Sequence, residues 1–93
     1  MNNGIDPARK ELYHQLSSRL NTVFSIPPHK EGKGIIVLTR TPESEYFTSA
    51  LKRFLKPDMG IQVHDHDQNR PIRITGPSIQ DLNRHVGRFA SPI

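Results

Sequence analysis

The sequence predicts a small α+β domain with elements in the order α-β-α-β-β-α. Three observations carry that reading. Apolar residues recur at helical spacing in three separate stretches, 8–24, 47–55 and 79–89. A period-two pattern marks half-buried strands in two others, 61–67, whose apolar face (Ile61, Val63) turns polar toward the tip, and 72–75. The length of 93 residues suits one domain and excludes a two-domain enzyme.

The first helix is predicted from Asp6 as N-cap and Pro7 at the first helical position, where a missing N–H costs nothing. Ala8, Leu12, Leu16, Leu20 and Phe24 recur every four residues, with Tyr13 and Val23 widening the stripe, so residues 1–25 form an N-terminal amphipathic helix. Residues 26–34 hold two prolines, two glycines and a run of charges, and are expected to be an exposed linker that leaves the first helix as an appendage. The Gly-x-Gly of Gly32 and Gly34 lacks a third glycine and precedes a strand, so it is not a dinucleotide-binding loop.

Residues 35–93 make a βαββα core. Ile35-Ile36-Val37-Leu38-Thr39 is β-branched without alternation, as expected of a strand covered on both faces. Thr41 caps the second helix, Pro42 opens it, and Glu43 and Glu45 lie favourably at its positive end. Phe47, Ala50, Leu51, Phe54 and Leu55 supply its buried stripe, while Lys52, Arg53 and Lys56 take the solvent side near the C-terminal end.

Ile61, Val63, Ile72 and Ile74 are the expected core face of a hairpin whose turn is Asp67-Gln68-Asn69-Arg70-Pro71. Gln62, His64, His66, Arg73 and Thr75 take the opposite face. Gly76-Pro77 ends the return strand, and Ser78 with Asp81 starts the third helix, whose stripe is Ile79, Leu82, Val86 and Phe89. Gly87 inside that helix points to a close packing contact, since it costs about 1 kcal/mol relative to alanine. The end, Ala90-Ser91-Pro92-Ile93, is expected to fray. The predicted architecture is a three-stranded sheet with helices 2 and 3 packed on one face and helix 1 against an edge or the second face. The hairpin's first strand lies parallel beside strand 1, or its return strand lies between them.

Residues 34–90 resemble the βαββα module of the KH-like class. The matching residues are Ile61 to Asp65, Asn69, Ile72 to Pro77, and Ile79 to Phe89, and the segment from Gly60 to Phe89 is similar in outline to the ring-building N-domains of bacterial secretins. That resemblance implies a role in protein assembly. RNA-binding KH domains clamp the nucleotide backbone with a Gly-x-x-Gly loop, and the glycines at 32, 34, 60, 76 and 87 offer no such spacing.

Composition bounds the chemistry. Leu, Ile, Val and Phe make about a quarter of the chain, above the roughly 20% below which charged chains stay disordered. The absence of cysteine excludes disulfides, thiolate nucleophiles and cysteine-based metal sites. No cofactor is implied. Ser44, Ser49 and Ser78 sit where helix starts and helix surface account for them, and Glu43 and Glu45, two residues apart on a helix, do not face each other as a catalytic pair must. The expectation is a non-catalytic protein. With no long apolar run or leader-like start, it is expected to be cytoplasmic and to avoid membranes.

His64 and His66 share one strand face and are the candidate metal ligands, needing a third from His14, His29 or His85. Thirteen Lys and Arg against nine Asp and Glu leave a net charge of +4. The excess falls in three clusters: Lys52, Arg53 and Lys56; Arg70 and Arg73; Arg84 and Arg88. Two functions follow. A protein–protein interaction or assembly module, binding a partner or itself, is the first. The second is RNA or DNA binding through those basic residues, against which stands an aromatic content of only 6%.

Overall fold

The structure is a computed structural model that describes residues 7–28 and 32–91. Asp6, His29, Pro92 and Ile93 lie outside the described residues. The fold is α+β, three helices on a four-stranded sheet.

The strands β1 (Phe24–Ser25), β2 (Gly34–Leu38), β3 (Gln62–His64) and β4 (Ile72–Gly76) form one sheet in the order β1-β2-β4-β3. Every pairing is antiparallel. The return strand of the hairpin therefore occupies the centre beside β2, the second of the two arrangements open from the sequence. The expected three-stranded sheet is corrected by β1. The first helix, α1 (Pro7–Arg19), stops five residues short of Phe24, and the chain turns back so that the Thr39 amide donates to the Val23 carbonyl at 2.9 Å. That bond closes Phe24 and Ser25 onto Leu38 and Val37.

The second helix, α2 (Pro42–Phe54), starts as its sequence requires. The Thr41 hydroxyl accepts from the Ser44 amide at 3.1 Å, and the Ser44 hydroxyl accepts from the Thr41 amide at 2.9 Å. This reciprocal pair fills two otherwise orphaned donors. The C-terminal helix, residues 79–90, is capped by Ser78, whose hydroxyl accepts from the Asp81 amide at 3.1 Å. It is not a uniform α-helix as expected. Ile79–Leu82 and Arg88–Ala90 are α-helical, and Asn83–Gly87 between them is a π turn.

Register decides which sheet face is buried. Leu38 stands opposite Ile72, Ile36 opposite Ile74, Gly34 opposite Gly76, and Val63 opposite Ile74. These residues face the helices and join one core with Leu12, Leu16 and Leu20 of the N-terminal segment, Phe47 and Leu51 of α2, and Leu82, Val86 and Ala90. Helix α1 is thus a wall of the core and not an appendage, and it packs on the C-terminal helix instead of the sheet's edge or second face. Gly87 marks the crossing: a β-carbon there would meet the Gln15 amide oxygen, Asn83 Oδ1 at 3.0 Å and Leu12 Cδ1 at 3.3 Å. The other sheet face carries Ile35, Val37, Gln62, His64, Arg73 and Thr75 and lies away from all three helices. The expectation that the first core strand is covered on both faces is therefore corrected: among the described residues no helix packs over Ile35 and Val37, which are half-buried. Phe54, expected to be buried, is 39% exposed and lays its ring against Phe89, centroids 5.0 Å apart.

Candidate functional site

The β3–β4 hairpin brings together four residues that the sequence divided between two chemistries. His64 and Arg73 are direct cross-strand partners on the uncovered sheet face. His66, Asp67, Arg70 and Pro71 complete a polar cleft of about 270 Å³ at the hairpin's tip. His64 Nε2 lies 3.0 Å from the Thr75 hydroxyl, which holds its ring against the sheet. Asp67 shapes the turn: its Oδ1 accepts from the Asn69 amide at 3.0 Å, and its Oδ2 pairs with Arg70 Nε at 3.3 Å.

Two interactions anchor the hairpin to the body. Arg40, in the connection between β2 and α2, donates through Nη2 to the carbonyls of Asp65 and Asp67, both at 2.9 Å, and through Nε to the carbonyl of Arg70 at 3.2 Å. Its Nη1 pairs with Glu45 at 3.3 Å. The planar guanidinium is suited to gathering several acceptors at once. On the helix side, Lys52 Nζ donates to Asp65 Oδ2 at 2.8 Å. The Lys52 hydrogen bond holds the Asp65 carboxyl below the usual carboxylate range, with the charges of Lys52 and Arg40 acting in the same direction against desolvation. Asp65 had no partner assignable from sequence. Arg40 was missed outright, because the carbonyls it binds are 25 to 30 residues away.

The remaining basic residues do not gather at this cleft. Lys52 is engaged with Asp65, and Arg84 pairs with Asp81 at 3.6 Å. Arg53 and Lys56 are exposed at the end of α2, and Arg88 is exposed on the C-terminal helix. Arg73 alternates with the buried Ile72 and Ile74 and so points away from the helix layer that carries Arg84 and Arg88. Of the seven cations, the structure unites Arg70 and Arg73 with the two histidines.

His64 and His66 do reach one cleft. Among the described residues, however, no group of three or more His, Cys, Asp or Glu side chains is placed to hold a metal ion. His14 and His85 belong to the helix layer on the other side of the sheet. A second, more apolar cleft of about 440 Å³ lies between α1 and β1, walled by Tyr13, Phe24 and Pro27. There the rings of Tyr13 and Phe24 stand 4.9 Å apart, and Arg9 donates to the Ile26 carbonyl. Among the described residues no helix is long and apolar enough to cross a membrane.

The chain matches no protein-family model, and comparison with curated proteins and with solved structures found no match.

Proposed function

We propose that this protein is a non-catalytic binding module that engages an acidic protein partner through the uncovered face of its sheet. The observation that carries this reading is the row Ser25, Val37, Arg73, His64 across the four strands, with Ile35 beside it. Aliphatic side chains on a sheet face outside the core, flanked by a guanidinium and an imidazole, match the apolar centre and polar rim of a protein interface. The cationic rim favours a partner that sets apolar side chains on Ile35 and Val37 and anionic groups near Arg73. A second copy of the chain would bring like charges together on that face, which favours a different protein. Nucleic-acid binding through the three basic clusters gains less support, since Lys52 and Arg84 are paired and Arg73 points away from the helix layer. The element order from β2 to the C-terminal helix is the βαββα order of the KH-like resemblance, with which an assembly role agrees.

A benzophenone amino acid placed at position 37, with position 53 on α2 as control, tests this. The expected result is a discrete protein cross-link at 37 that survives nuclease treatment and is lost on Arg73→Glu. Binding of mixed oligonucleotides at micromolar concentration, falling steeply with salt, together with no protein cross-link, would replace the reading with phosphate-backbone recognition.

A further inference from the structure

We propose that the hairpin cleft binds a phosphate monoester dianion, carried on a side chain of the protein partner. Four donor-bearing side chains, His64, His66, Arg70 and Arg73, surround a recess of about 270 Å³ that holds one carboxylate, Asp67. Both oxygens of that carboxylate are engaged within the turn, with the Asn69 amide and with Arg70 Nε. The other acid of the segment, Asp65, is drawn away to Lys52 on α2 and does not line the recess. Two guanidiniums against one carboxylate leave a positive excess even with both imidazoles neutral. Such a recess repels a metal cation and favours an anion.

The kind of anion follows from donor number and shape. A carboxylate offers two oxygens, whereas a phosphate monoester offers three terminal oxygens and up to two charges, enough for two planar guanidiniums and an imidazole N–H at once. The turn that carries the donors is tied down, because Arg40 holds three of its carbonyls, so little ordering is left for the ligand to impose. Among the described residues no Phe, Tyr or Trp lines the recess, so the larger rings on which the bases of a nucleic-acid strand would stack are missing there. Only the source of the phosphate rests on the protein-partner reading; the anion site stands on the cleft itself.

The test uses the full chain, inorganic phosphate as first probe, and a short phosphoserine peptide with its unphosphorylated form as second. Amide and imidazole NMR signals of residues 64–67, and amide signals of Arg70, Ile72 and Arg73, are expected to shift and saturate, with half-saturation at about 1 mM or tighter. Arg70→Ala and Arg73→Ala, both at exposed positions, should each weaken binding about tenfold or more, and Lys56→Ala should leave it unchanged. The phosphopeptide should compete with phosphate while the unphosphorylated peptide does not. Shifts that fail to saturate, or that persist in a folded double variant lacking both arginines, overturn the site. A single-stranded oligonucleotide that binds more tightly than the phosphopeptide overturns the assignment to a protein-borne phosphate. Saturable phosphate binding in a chain that yields no cross-link at position 37 keeps the cleft and overturns the partner alone.

Discussion

Gly34 and Gly76 stand opposite each other in the β2–β4 ladder, and the first turn of the C-terminal helix rests on both. A β-carbon on Gly34 would lie 2.6 Å from Leu82 Cδ1 and 2.8 Å from the Ser78 carbonyl oxygen; one on Gly76 would lie 3.0 Å from Leu82 Cδ2. The paired absence of side chains lets helix and sheet approach closely just where Ser78 caps the helix.

Gly34→Ala is therefore expected to cost about 1–3 kcal/mol, because backbone and not only a flexible side chain must yield. Thermal unfolding of the variant would check this, and a midpoint equal to wild type would show that the helix start shifts freely. Gly76→Ala meets only side-chain atoms and should cost less.

Leu16 is fully buried between α1 and the rest of the core, so Leu16→Ala should cost about 2–5 kcal/mol. For a domain of this size that lowers the unfolding midpoint by roughly 10 °C or more. Calorimetry should show one transition moving as a whole, whereas an unchanged main transition would mean that α1 melts independently.

Arg40→Ala leaves three hairpin carbonyls without their shared donor. A loss of about 1–2 kcal/mol is expected, since water reaches some of these groups. Amide hydrogen exchange should speed up at residues 65–70 before it does in β2. Lysine, a point donor, should restore less than half of the loss.

Asp65 supplies an acid-sensitive contribution. Its folded-state pKa is depressed, so the stabilisation is fully present above the unfolded value of about 3.9 and is lost as pH falls through the lower folded value. Because Lys52 and Asp65 are both partly solvated, the pair contributes about 1 kcal/mol or less. Asp65→Asn should flatten the stability profile below pH 4. In Lys52→Met, a carboxyl titration by NMR should find Asp65 moved back up toward the ordinary range, and an unmoved midpoint would contradict the dominant role of the Lys52 hydrogen bond.

Local signals were readable from sequence where the physics is local. Thr41-Pro42 and Ser78 with Asp81 mark helix starts because a cap is a contact over three residues, and Ile72, Arg73 and Ile74 alternate because one face of β4 is wet. The end of α1 was not readable, since the four-residue spacing of Leu12, Leu16 and Leu20 carries on to Phe24 after the helix has stopped. Strand β1 has two residues, too few for any period, and exists through its bonds to β2. At the candidate site, His64, His66, Arg70 and Arg73 were all singled out. Their convergence, and the work of Arg40 and Asp65 in holding them, depends on register and long-range contacts that residue spacing does not encode.

The outermost strands of the sheet are also its shortest, two residues in β1 and three in β3. Each offers too little open backbone to template a further strand, and charged residues follow soon after β3. Among the described residues the sheet can thus keep one face free of helices while denying neighbouring molecules the rails on which fibrils grow.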